Sequence, residues 1–291
     1  MNKYQNDKRI SPMISTIRKN LSACIAAIGL AAVSLIPLQP AMASGDLLVA
    51  PTRVILDSQR GTEVILNNIG TEETTYRISL ELRRMNDLGR LDEVAEEDAT
   101  EKESTALSLI RYAPRRVTLP PNQPQAIRVG LNNLKDLADG EYRAHMMFRA
   151  IPNTASVAET QDAGGGLQIQ LIPIYGITIP IIIRKGNISA SAAIANPRLA
   201  QDETGANLFL MDLSREGDRS VFGEIYVTKA GQSEPLMVAK GIAIYPELDK
   251  RTIVVPITAE QAATLNGNVT ISYYEAPEAG GGLISEIKTT M

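Results

Sequence analysis

Between Leu167 and Ile183 the chain reads LQIQLIPIYGITIPIII, a strand-like run with no charge before Arg184. Strands place alternate side chains on opposite faces. One face therefore takes Leu167, Ile169, Leu171, Pro173, Tyr175, Ile177 and Ile179, and the other takes Gln168, Gln170, Ile172, Ile174, Gly176, Thr178 and Pro180. The first half alternates cleanly, whereas the second is apolar on both faces, more than one domain's own core explains. Pro173 and Pro180 have no amide hydrogen to give a neighbour, which places such a strand at a sheet edge. Two readings stand: a long strand buried between two sheets, or an edge that pairs with another protein by strand addition.

The amino terminus indicates a compartment. Lys3, Lys8, Arg9, Arg18 and Lys19 precede an apolar stretch from Leu21 to Leu38, which ends in the small-residue pattern Ala41, Met42, Ala43. That is the layout of a cleaved signal peptide, residues 1–43. The stretch is short, is interrupted by Pro37 and Pro40, and is followed by no stop-transfer pattern, so no stable membrane insertion is expected. Leu21 to Cys24 spells LSAC, but the apolar region follows the cysteine where a lipoprotein box needs it to precede. Cleavage removes five of the 29 basic residues and one of the 33 acidic ones, leaving 24 against 32 and a net charge of −8. Such a balance argues against nucleic acid as the partner. The single cysteine, Cys24, leaves with the signal, so the remainder has neither disulfide nor thiol chemistry.

The rest reads as β structure, with short alternating runs separated by turn residues. In the first half the runs are LLVAPTRVILD, TEVILNNIG, TTYRISLELRRM, SLIRYAPRRVTL, QAIRVGL, EYRAHMMFRAI and the long run above, the strand count of an immunoglobulin-like sandwich. In DGEYRAHMMF, Tyr142 enters a strand directly after Asp139 and Gly140, the setting of a tyrosine corner. The pattern restarts after Gly186 with NISASAAIA, ANLFLMDLS, VFGEIYVTKAG, PLMVAKGIAIYP, RTIVVPIT, NVTISYYEA and LISEIKT. The expected fold class is all-β: two immunoglobulin-like β-sandwich domains, 44–186 and 187–291, after a cleaved signal peptide. A short helical turn is expected at Thr258 to Leu265, where Thr258 and Gln261 have capping-box spacing.

Catalytic chemistry is hard to build from this inventory. The acidic stretch from Asp92 to Glu103 lacks the glycine and ligand spacing of a calcium loop and reads as a solvated loop. Pro152 to Gly166 reads as a loop ahead of the long strand, and Glu278 to Gly282 as a hairpin connection. His145, the only histidine, falls by alternation on the face of Arg143 and Arg149, opposite Tyr142, Ala144, Met146 and Phe148, and reads as a solvated sheet residue. With no second histidine or retained cysteine there is no common nucleophile–base pair and no zinc site. No phosphate loop or dinucleotide fingerprint occurs, and no carboxylate pair is singled out. No enzymatic activity, cofactor or metal is expected.

Taken together, APTRVILD near the start of the mature chain, YAPRRVTLPPNQPQAIRVGL, LADGEYRAHMMFRAIP and the long strand ending IPIIIRKG resemble periplasmic pilus-assembly chaperones of the chaperone/usher pathway. The resemblance is clearest from Leu47 to Gly186. It implies a periplasmic protein that binds, folds and caps pilus subunits by lending them a strand, then delivers them to an outer-membrane usher; whether the empty protein caps itself as a homodimer is left open by the sequence. On this reading Leu167, Ile169 and Leu171 match the alternating residues that such chaperones insert, and the stretch from Ile172 to Ile183, with Ile172 and Ile174 at its start, extends the contact or changes its register. Arg53 matches the cleft arginine that binds a subunit's terminal carboxylate, a role suited to a guanidinium's paired donors. The sequence departs from the family where a partner lysine is expected, since Pro180 stands there; Arg149, Arg184 and Lys185 are the alternative anchors. The competing reading is a structural surface or pilus-associated immunoglobulin-like protein, although Ser44 to Ala50 is too short for a subunit's donor extension.

Overall fold

The computed structural model describes residues 47–57, 60–132, 134–135, 137–152 and 174–291. Two sandwiches follow one another along the chain. In the first, one sheet runs β1 (Leu47–Ala50), β3 (Thr62–Asn68), β8 (Pro124–Leu131) and β6 (Ile110–Ala113). The facing sheet runs β2 (Val54–Leu56), β10 (Gly176–Lys185), β9 (Gly140–Ile151), β4 (Thr74–Met85) and β5 (Leu91–Val94), with β7 (Arg116–Leu119) also on β4. The second sandwich packs β11 (Ala190–Gln201), β12 (Asn207–Gly217) and β15 (Lys250–Pro256) against β14 (Pro235–Ile244), β13 (Val221–Lys229), β16 (Asn268–Glu275) and β17 (Leu283–Thr290). The pairing is antiparallel throughout except where β2 joins β10 in parallel. Among the described residues no helix is long and apolar enough to cross a membrane.

Each sandwich has its own core, filled by the inward face of its strands. The first closes over Leu66, Tyr76, Ile78, Ile127, Met146, Phe148, Ile181 and Ile183, and the second over Phe209, Met211, Leu213, Ile225, Ile271 and Tyr273. The seven alternating runs of the second half coincide with its seven strands. In the first half, two runs that look continuous are split where proline interrupts the ladder. LLVAPTRVILD gives β1 in one sheet and β2 in the other, with Pro51 to Arg53 as the crossing. IRYAPRRVTL divides at Pro114 into β6 and β7, again in opposite sheets.

The tyrosine corner is present: Tyr142 is buried and its hydroxyl donates to the Ala138 carbonyl at 3.0 Å. The helix at Ala259–Leu265 carries its capping box, with the Gln261 amide donating to the Thr258 hydroxyl at 3.1 Å. The acidic stretch is not the solvated loop expected from its charge. It contains β5, a 3₁₀ turn at Glu96–Asp98 and the start of helix α1 (Glu101–Leu109). A capping box between Thr100 and Glu103 starts this helix, and Ala106 and Leu109 bury against the first core. The Thr-x-x-Glu spacing was available in the sequence and is masked there by the run of acids.

Removing the Tyr142 hydroxyl by Tyr142→Phe deletes one hydrogen bond and leaves a carbonyl unpaired near the surface. A loss of about 1 kcal/mol is expected in a urea-unfolding titration.

Candidate functional site

The long strand is half enclosed. Ile181, Ile182 and Ile183 in β10 pair in parallel with Val54, Ile55 and Leu56 of β2, while the whole of β10 pairs with β9 on its other side. From Gly176 to Pro180 only β9 is bonded to it, so the other edge of that stretch has no partner among the described residues. Across the sandwich, β1 is likewise the outer strand of its sheet. The apolar character of both faces at the strand's end has a plain cause. Ile179, Ile181 and Ile183 enter the first core, and Ile182 points the other way into a separate cluster with Met85, Ala243 and Tyr245. The second sandwich therefore covers the face that the sequence left without a partner. Ile174 and Tyr175, just ahead of β10, are exposed.

A charged network surrounds that cluster where the two sandwiches meet. Arg53, carried there by the sheet crossing, donates from Nη1 to the Tyr245 hydroxyl at 3.0 Å and from Nη2 to the Ser220 hydroxyl at 3.1 Å. Its guanidinium carbon lies 4.4 Å from the Phe222 ring centre, within cation–π range. The Ser220 hydroxyl donates to Glu141 at 2.9 Å, and the Ser220 amide donates to the same carboxylate oxygen at 3.1 Å. Arg184 Nε donates to that oxygen at 3.1 Å as well. Arg143 lies 3.6 Å from the Tyr245 ring centre and pairs with Glu247, whose carboxylate also accepts from the Met85 amide at 2.9 Å. Buried charges persist only when paired and hydrogen-bonded, and here each pair is closed by a group from the opposite sandwich.

The proposed anchor residues fall in different places. Arg53 and Arg184 both reach Ser220, so they share one network. Lys185 donates to the Leu134 carbonyl at 3.1 Å, and Arg149 is exposed four residues beyond His145 along β9. Leu167, Ile169, Leu171 and Ile172 lie outside the described residues. Ser220, Phe222, Tyr245 and Glu247 were not singled out from the sequence. Each is an isolated residue that becomes part of the site only through packing against the first sandwich, across 36 to 192 positions, and no local pattern marks it.

His145 departs from its expected solvated setting. It is buried, with both ring nitrogens unpartnered among the described residues. Burial first, and then the guanidiniums of Arg143, Arg83 and Arg53, lower its pKa to about 3, so it is neutral near pH 7. The outward face of β9 is the covered face here, which alternation alone does not reveal.

No protein-family model and no curated protein matches the chain. Solved structures similar to it include the Salmonella enterica SafA pilin in complex with the SafB chaperone, at 14% identity and a TM-score of 0.44, covering 84% of this chain and 96% of that one. The CsuC–CsuE chaperone–tip adhesion subunit pre-assembly complex from the archaic chaperone-usher Csu pili of Acinetobacter baumannii is similar at 12% identity and a TM-score of 0.42, covering 84% and 97%. The YadV chaperone is similar at 12% identity and a TM-score of 0.43, covering 85% and 100%.

Glu141→Ala leaves Arg184 without its carboxylate and the Ser220 amide without an acceptor. With Arg184 partly solvated, a loss of about 2–3 kcal/mol is expected on urea unfolding.

Proposed function

We propose that this chain is a periplasmic chaperone that holds pilus subunits by lending them its β10 edge and passes them to an outer-membrane usher. The observation that carries the reading is the edge at Gly176–Pro180 left unpaired among the described residues, while β2 pairs with the far end of the same strand. An edge of this kind offers a ladder of main-chain groups to an incoming strand. Leu167, Ile169, Leu171, Ile172 and Ile174 precede it; on this reading Leu167, Ile169 and Leu171 are the alternating side chains that fill the partner's groove, and Ile172 and Ile174 extend the contact or change its register. Each such burial is worth about 1.5–3 kcal/mol before ordering costs, so several of them with the ladder suffice for a stable complex. No nucleotide is needed, since exchange with another subunit's strand releases the cargo.

On this reading residues 1–43 direct export, 44–186 form the subunit-binding domain, and 187–291 complete the cleft. Arg53 receives the subunit's terminal carboxylate. Its two η nitrogens are already engaged by Tyr245 and Ser220, so an incoming carboxylate is held at a pre-oriented guanidinium. On this reading Arg184, bonded to Glu141 beside Ser220, serves as the second cation in place of the lysine expected where Pro180 stands. Self-capping of the same edge by a second copy keeps the empty protein soluble.

Co-purification from periplasm with subunits encoded beside the gene tests this. Wild type is expected to retain a subunit, Ile169→Asp to lose it, and Arg53→Ala to reduce it about tenfold or more, the effect of losing a charge-assisted contact. Absence of any bound subunit, or equal recovery with both variants, overturns the reading.

A further inference from the structure

Arg77 of β4 stands directly opposite Arg149 of β9 on one side and Arg116 of β7 on the other. Residues paired directly across neighbouring strands share a face of the sheet. For these three it is the face away from the first core, since their neighbours in sequence, Tyr76, Ile78, Val117 and Phe148, fill that core. All three arginines are exposed, and among the described residues none is paired with a carboxylate. Adjacent strands lie about 4.8 Å apart, so the row sets three like charges within about 10 Å at its base. Like charges directly opposite one another weaken a sheet. The flanking positions on that face are uncharged: Thr75 and Thr118, bonded to each other at 2.8 Å, lie along one side of the row, and Ser79 and Met147 along the other. Glu81, the one carboxylate of β4, is taken by Arg83 and by the Thr178 hydroxyl.

The row also has a direction. Arg149 is opposite Gly176 of β10, which begins the stretch whose other edge has no partner among the described residues. We propose that Arg116, Arg77 and Arg149 form a docking surface for an acidic segment of the polypeptide whose strand pairs along that edge. The inference rests on the strand-lending reading and adds the chemistry of the partner, which carries carboxylates beside its paired strand. A guanidinium donates two parallel bonds to a carboxylate, so a partner of this kind both binds the row and relieves its internal repulsion. The net charge of the chain is −4, which disfavours extended polyanions and anionic membranes, while a local row of cations still attracts a short acidic segment. Its position at the strand edge selects polypeptide, because the same partner then uses the main-chain ladder. Attraction of this range acts before the strands register, so it speeds encounter and disfavours partners that are basic at this place.

A fluorescent oligoglutamate peptide tests the surface without any subunit. By fluorescence anisotropy, protein purified from periplasm is expected to bind it, and to bind about tenfold more weakly when salt rises from about 0.02 M to about 0.2 M and screening shortens. The combined variant Arg77→Gln, Arg116→Gln, Arg149→Gln is expected to bind about tenfold or more weakly at the lower salt, the effect of losing charge-assisted contacts. Its urea midpoint is expected to equal or exceed that of wild type, because the repulsion is gone. Ile169→Asp is expected to bind the peptide as wild type does while losing the co-purified subunit, and the combined variant to retain less subunit than wild type. Peptide binding that is absent, or unchanged in the combined variant, overturns the surface and leaves strand lending standing. Peptide binding with no subunit retained by any form overturns strand lending and, with it, this partner. A lowered urea midpoint assigns the row to folding, and tighter binding to phosphatidylglycerol vesicles than to the peptide assigns it to lipid; either overturns the proposal. Should the combined variant fail to fold, Arg77→Gln alone, at the centre of the row, is read in its place.

Discussion

The Glu141 carboxylate is almost wholly removed from water, and one of its oxygens accepts from the Ser220 hydroxyl, the Ser220 amide and Arg184 together. An uncompensated carboxylate in that position would cost several kcal/mol, so the two sandwiches are tied by electrostatic necessity. The apolar contact there is small, confined to Met85, Ile182, Ala243 and Tyr245 with a few partly buried neighbours. The junction thus depends more on satisfying buried charge than on burying area, which makes its geometry specific and its strength sensitive to any charge added nearby.

The sheet crossing at Pro51 to Arg53 links this junction to the strand edge. A single short segment leaves β1, delivers Arg53 to Ser220 and Tyr245, and enters β2, which fixes the last turn of pairing on β10. The guanidinium and the open edge are therefore positioned by the same few residues.

Much of this was legible in the sequence, and the remainder failed for identifiable reasons. The second sandwich was readable strand by strand because its runs alternate and are bounded by turn residues. Tyr142 and Thr258 were found because their partners lie within a few positions. The acidic stretch was misjudged because charge density outweighed the Thr100–Glu103 cap. His145 was misplaced because alternation assigns a face without saying what covers it. The double-sided apolarity of IPIIIRKG was real, yet its explanation, Ile182 against Tyr245, depends on a second domain whose approach no local pattern encodes.

Pairing with β2 extends over only Ile181, Ile182 and Ile183, and these three positions serve two domains at once. A slip of one residue would turn Ile182 into the first core and eject Ile181 and Ile183 from it. Tolerance to substitution therefore divides at Pro180. Beyond it, a change disturbs the parallel ladder together with either the first core or the junction, whereas toward Gly176 only Ile177 and Ile179 are held by the core and the positions between them answer to a single neighbouring strand.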